Sequence, residues 1–270
     1  MRTLFSTWIV VGLVIFAGST SGAAEWGNLS GRFLFEGEPP VPEKLKITSD
    51  QEVCGKHDLR SEWLLVNPKN KGVQNIIVYL YQNKSGARLT PYDSREVPIH
   101  DDYLAREKEV VKLDNLGCRF DPHVALVWTR QQVVVGNSDP VGHNVKIDCR
   151  DNPQSNDTIP SGGTIEKRFD KAERFPVPVS CSIHPWMKGW LVIRDTPYMA
   201  VTDGEGNFEI KNLPAGEWQF MFWQEQAGYV SQVKVKGKAE EWKRGLKAIT
   251  IKAGPQDLGD IVLAPDLFKN

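Results

Sequence analysis

Cysteine and histidine are scarce in this chain, with four Cys and five His among 270 residues. No Cys-x-x-Cys-His run is present, so covalent haem attachment is not indicated. No Ser/His/Asp set and no glycosidase-type carboxylate pair stands out, because Asp and Glu are dispersed through loop-like stretches. No catalytic residue is assigned, and the chain does not read as an enzyme. An excess of one charge sign is also lacking. Lys and Arg total 33 against 34 Asp and Glu, a formal net charge of −1. That balance offers no basic footprint for nucleic acid or an anionic membrane surface. No apolar run reaches the roughly 20 residues that a bilayer-spanning helix needs, so no stable membrane insertion is expected. Long stretches of helical periodicity are absent as well.

What is present suffices for folded cores. Hydrophobic residues make up 40% and aromatic residues 10%, with nine Trp, which places the chain among globular proteins. Its length suits two or three modules. The first residues read as an export signal: Arg2, an apolar run from Trp8 to Ala17, then small residues with Gly22-Ala23-Ala24 before Glu25. There is no Cys beside that cleavage site for lipid attachment and no twin-Arg pair. The expectation is a signal over 1–24 and export to the periplasm or cell envelope. The alternative is an uncleaved N-terminal anchor.

The remainder reads as all-β. Short alternating runs are separated by Gly, Pro, Asn and Asp: Leu29 to Phe35, Asn75 to Tyr81, Val124 to Trp128, Gln132 to Val135, Thr164 to Phe169, Gly189 to Arg194, Asn207 to Ile210 and Trp218 to Trp223. Asp101 to Lys108 is a short, charged helical candidate. Lys84 to Lys112 is polar, and Thr196-Pro197-Tyr198 follows the run to Arg194. These shifts divide the chain into 25–83, a linker at 84–111, a middle block at 112–195 and a final part at 196–265.

The two flanks carry related turn signatures. One opens with Gly27-Asn28-Leu29-Ser30-Gly31. The other holds Thr202-Asp203-Gly204-Glu205-Gly206-Asn207-Phe208 and Leu213-Pro214-Ala215-Gly216. Gly in such groups supplies the positive φ of tight turns. Together the flanks resemble the opening and closing halves of a carboxypeptidase-regulatory, transthyretin-like sandwich. The resemblance implies one discontinuous sandwich with the middle block inserted in a loop. The rival arrangement is three modules in series, and pairing of Leu29–Phe35 with the C-terminal half distinguishes the two.

The middle block carries the chemistry. Cys181-Ser182-Ile183-His184-Pro185-Trp186-Met187 sets a thiol, an imidazole and a thioether in one short loop, and Gly142-His143-Asn144 adds a second imidazole. Two His and one Cys with a weak axial Met describe a blue-copper electron-transfer site. The Cys-x-x-His-Pro-x-Met pattern, with His143 upstream after Val133 to Asp139, resembles the cupredoxins. The short gap from His184 to Met187 is amicyanin-like, whereas plastocyanin-type loops are longer. The resemblance spans 114–195 and implies a Greek-key β-sandwich. Carried over by position, His143, Cys181 and His184 are equatorial copper ligands and Met187 the axial one. Asn144 and Ser182 tie the two ligand loops together.

That family implies two further expectations. Ile183 stands where members often have Pro, and its free N–H is expected to donate to the Cys181 sulfur and raise the reduction potential. Electrons are expected to pass through the edge of His184 in an apolar surface patch with Pro185 and Trp186. Trp190 reads as core.

Cys54, Cys118 and Cys149 remain, an odd number. Cys54 with Cys118 is the preferred disulfide, tying flank to middle block. A second metal site from Cys54, His57, Cys118 and His123 is the alternative. The chain is therefore expected to be an exported single-copper protein that carries single electrons between transient protein partners such as a dehydrogenase, cytochrome or oxidase. An envelope copper-delivery module and a surface scaffold or adhesion protein with a structural copper site are the alternatives.

Overall fold

The fold is described from a computed structural model, which covers residues 25–83 and 89–269. The expected signal at 1–24 lies outside the described residues. Among them no helix is long and apolar enough to cross a membrane. The fold is all-β, and the described residues build four sheets around two separate cores.

The outer sandwich is discontinuous. In one sheet, strand Trp26–Phe35 lies between Asn207–Pro214, antiparallel, and Gly254–Leu263, parallel; Gln232–Val235 and Lys238–Glu241 complete it. The facing sheet has Ile77–Asn83 at its centre, paired with Met199–Val201 on one side and Gly216–Gln224 on the other. Residues from before and after the middle block thus form one pair of sheets. Strand Trp26–Phe35 alternates strictly, every second side chain buried, as expected for a strand with one face on a core.

The turn Asp203–Gly206 locks this arrangement. Gly206 sits at φ +82°, and a Cβ there would meet the Phe33 carbonyl oxygen at 2.2 Å, the same backbone that exchanges a hydrogen bond with it. Gly206→Ala combines left-handed strain with that clash. It is expected to lower the unfolding free energy by at least about 2 kcal/mol in urea titrations.

The inner sandwich comprises two sheets. One contains Thr164–Lys167, Val133–Asn137, Val111–Asn115 and Phe120–Asp121. The other contains Val124–Trp128, Lys188–Arg194, Val177–Ser180, His143–Ile147 and Ser155–Ile159. Its core includes Leu113, Val127, Val135, Ile147, Val179, Leu191 and Ile193.

The two sandwiches dock through strands buried on both faces. In Ile77–Asn83, Val78 and Leu80 face the outer core, while Ile77, Tyr79 and Tyr81 face the other sandwich. In Lys188–Arg194, Leu191 and Ile193 face the inner core, while Val192 faces the interface. Trp190 corrects its sequence assignment. It is half-buried at this interface, 4.8 Å from the Trp223 ring, rather than in the inner core.

Residues 84–88 of the expected linker at 84–111 lie outside the described residues, and part of 89–111 is packed structure. Leu89–Pro91 pairs back onto Ile77–Asn83, and Asp101–Ala105 forms a single helical turn capped by the His100 side chain. The helical turn is tied to the outer sandwich by side chains, Tyr103 Oη donating to the Lys211 carbonyl and Asn212 to Asp102, which a polar composition does not reveal.

Residues 36–75 connect the two cores directly. They leave the outer sandwich between its first two long strands and reach the inner one. Cys54 and Leu59 are fully or nearly buried in the inner core, with Leu45, Ile47 and Val53 packed against it.

Candidate metal centre

The heptapeptide Cys181–Met187 is the loop of a hairpin. Val177–Ser180 and Lys188–Arg194 pair up to Ser180 and Lys188. The loop closes through the Cys181 N–H on the Met187 carbonyl at 3.3 Å and the Met187 N–H on the His184 carbonyl at 2.9 Å. His143 opens the neighbouring strand His143–Ile147, which pairs with Val177–Ser180. Two adjacent strand ends therefore deliver the donors to one point.

Cys181, His143 and His184 each offer an atom, and these atoms lie within 4.8 Å of one another. The two Nδ1 atoms are 2.9 Å apart, and the Cys181 sulfur is 3.7 Å from His184 Nδ1. His143 and His184 are fully buried and Cys181 is 2% exposed. Met187 is buried in the same core.

Both rings are pinned from behind by carboxylates. Asp139 Oδ2 lies 2.8 Å from His143 Nε2, and Asp50 Oδ2 lies 2.7 Å from His184 Nε2. A proton on each Nε2 leaves each Nδ1 lone pair facing the sulfur, the arrangement by which carboxylates fix ligating imidazoles. Asp139 is itself held by the N–H groups of Gly117 at 2.6 Å and Cys118 at 2.8 Å. Burial pushes the His143 imidazole below its ordinary pKa, against the pull of Asp139. A neutral imidazole is the form that binds a metal. One sulfur and two inward imidazole nitrogens, converging in a buried pocket, suit a soft or borderline metal ion such as copper.

Asn144 and Ser182 tie the ligand loops together. Asn144 N–H donates to the Cys181 sulfur at 3.3 Å, and its Oδ1 accepts from Ser182 N–H at 3.1 Å.

Two expectations are overturned here. The sulfur receives N–H groups from Asn144 and from His184 at 3.4 Å, not from Ile183. Ile183 instead turns outward, 42% exposed, and its carbonyl accepts from Ser49 Oγ at 3.0 Å. The edge of His184, expected to lie in a surface patch, is not exposed, because Asp50 covers it. Pro185 is exposed and Trp186 half-buried. The Trp186 ring lies 5.0 Å from that of His184, and its Nε1–H donates to the Cys118 carbonyl at 3.3 Å.

Cys54 and Cys118 form a disulfide, so their sulfurs cannot serve a second metal site. His123 is turned away from them, between Glu62 and Glu225. His57 lies near Gly117. Cys149 is a buried free thiol whose pKa is pushed up to about 12 by burial and by nearby Glu173, which makes it inert.

Asp50 and Asp139 were missed from sequence. Asp139 carries a faint signal, four residues before His143. Asp50 carries none, since it lies 134 residues from His184.

No family model and no curated protein matches this sequence. Among solved structures, a reduced Cu(I) amicyanin variant aligns over 39% of this chain and 92% of its own, at 18% identity and a TM-score of 0.29. A purple cupredoxin from Nitrosopumilus maritimus aligns over 31% of this chain and 97% of its own, at 21% identity and a TM-score of 0.25. A copper-containing nitrite reductase from Thermus scotoductus aligns over 31% of this chain but only 22% of its own, at 23% identity and a TM-score of 0.27. Each alignment covers less than half of this chain, with a TM-score below 0.5.

Proposed function

We propose that this chain is an exported type 1 copper protein of cupredoxin type that carries single electrons between protein partners. The observation that carries the proposal is the convergence of His143 Nδ1, His184 Nδ1 and the Cys181 sulfur in one buried pocket. His143, Cys181 and His184 would hold the metal, with Met187 as the weak fourth donor. Copper, when bound, supplies a one-electron Cu(II)/Cu(I) couple. One partner gives an electron and another takes it, so no substrate bond is made or broken and the protein is not an enzyme.

The rest of the site keeps that exchange cheap. Two carboxylates hold the imidazoles, two N–H groups hold the sulfur, and the loop is closed on itself by hydrogen bonds. A donor set fixed this way has little room to rearrange between oxidation states. Its burial also opposes rapid metal release, which favours a carrier of electrons over a module that delivers copper. The exposed face beside the loop is formed by Ile183 and Pro185 with the half-buried Trp186. A small apolar patch of this kind fits a weak, transient redox partner. In this proposal the outer sandwich, transthyretin-like in its turn signatures, is the platform, and 1–24 is the export signal.

Titration of the reduced-thiol protein with Cu(II) is expected to give an intense blue thiolate-to-copper band at one equivalent, absent in Cys181→Ser. A folded, copper-loaded protein without that band would overturn the assignment. Rapid copper loss to a chelator would favour delivery instead.

A further inference from the structure

The carboxylate behind His184 does not belong to the sandwich that supplies the donors. Asp50 comes from 36–75, the excursion of the outer sandwich. It sits at φ 45°, in the left-handed region that Asp and Asn tolerate. Its carbonyl accepts from Val53 N–H at 3.0 Å and Cys54 N–H at 2.8 Å. This tight turn is stapled in place by Cys54–Cys118, and Ser49 adds its hydrogen bond to the Ile183 carbonyl.

The far end of the same staple acts on the other histidine. Cys118 N–H holds Asp139, and Asp139 holds His143. One disulfide therefore ties together the two carboxylates that fix the two imidazoles. Asp50 is 39% exposed while His184 is fully covered, so this side chain stands between the ring and solvent.

We propose that Asp50 is a positioning residue of the metal centre, contributed by the excursion 36–75 from outside the middle block: it fixes His184 with Nε2–H outward and Nδ1 inward, and closes the outer edge of the ring. The role toward copper rests on the function proposed above; the role toward the imidazole does not. The metal centre is therefore complete only when the excursion 36–75 is packed on the inner sandwich, and the inner block 112–195 without it would carry a freely turning, wetter His184.

The test compares wild type with Asp50→Gly and Asp50→Asn. Gly suits φ 45° without strain, so it removes the side chain alone. Asn keeps the backbone preference and an acceptor oxygen but loses the charge. In the metal-free protein, nitrogen NMR of the imidazoles is expected to show His184 as a single Nε2–H tautomer with slow proton exchange. Asp50→Gly is expected to mix the tautomers and speed exchange about tenfold or more, with Asp50→Asn between. With Cu(II) added, Asp50→Gly is expected to bind about ten- to a hundredfold more weakly and to show a higher midpoint potential, because a less electron-rich imidazole stabilises Cu(II) less. Unchanged tautomer and exchange in Asp50→Gly would overturn the proposal. Changed exchange with unchanged affinity and potential would reduce Asp50 to a cover and overturn its positioning role. Absence of the blue band in wild type would sink the copper reading while leaving the metal-free result to decide on Asp50.

Discussion

Replacing Cys54 and Cys118 together by alanine is expected to lower the unfolding free energy by about 4 kcal/mol, the chain-entropy value for closing a loop of this length. The two residues are 64 apart in sequence, and both are completely buried. The bond joins the irregular excursion 36–75 to the inner core. That excursion forms no strand of either sandwich; its backbone bonds are turns, one short 3-10 helix at Cys54–Lys56 and isolated bridges such as Lys44 with Arg60. Without the bond, the denatured chain regains the freedom of the whole loop, and the native excursion is held by Leu45, Ile47, Val53 and Leu59 and by the polar contacts of Ser49, Asp50 and Glu62. Alanine at both positions avoids a lone buried thiol that would exchange with Cys181. Urea unfolding of wild type and double variant, both metal-free, measures the difference. A loss below about 1 kcal/mol would mean that the denatured state already holds this loop nearly closed. Because Asp50 rides on the same turn, the variant is also expected to expose His184, so stability and site geometry fall together.

The second large effect is set by pH. His123 is buried where the two sandwiches meet. Its Nε2–H donates to Glu225 Oε1 at 2.6 Å, and its Nδ1 lies 3.5 Å from Glu62 Oε2. Arg119 pairs with the same Glu62 at 3.0 Å, and Trp190 Nε1–H donates to Glu225 at 2.8 Å. Burial alone would depress the imidazole, but hydrogen bonds and charge from Glu225 and Glu62 outweigh it and raise its pKa to about 9 from 6.5. A folded pKa above the unfolded one means that the charged form stabilises the fold. That contribution, about 3 kcal/mol, is fully present below the unfolded value and is lost as pH rises through about 9. His123→Gln is expected to flatten this part of the stability profile and to bring wild type and variant together above the transition. Urea midpoints measured across the range, plotted as wild type minus variant, read it directly. A constant difference would show that the imidazole is not the titrating group. Glu62 and Glu225 come from the excursion and the outer sandwich, while His123 precedes an inner-sandwich strand. The loss therefore falls on the contact between sandwiches.

Much of the fold was legible because strand faces are encoded locally. The alternation in Leu29–Phe35 and the Gly-rich turn before Phe208 have a period and a composition that need no distant partner. The candidate donor set was legible for the same reason: Cys181, His184 and Met187 fall within one hairpin loop, and His143 begins the adjacent strand. Strands such as Ile77–Asn83 were harder to interpret. An unbroken apolar run says that both faces are buried, but not that one of them carries Tyr79 and Tyr81 against a second sandwich. The packing of Leu89–Pro91 along a sheet edge was not legible, because a polar surface composition is shared by a tether and by a segment packed in this way.

Ile183 shows the limit most clearly. Its free N–H made it a donor to sulfur on paper, but the loop points that residue outward and gives the sulfur to Asn144 and His184. By itself, the sequence determined the all-β character, the turns and the identity of the candidate metal donors, since each is a property of a few neighbouring residues. The tertiary structure decided which carboxylate stands behind each imidazole, which surface the site presents and how the disulfide links them. These depend on contacts across as many as 134 residues, and such a contact leaves no periodicity, spacing or composition at either end.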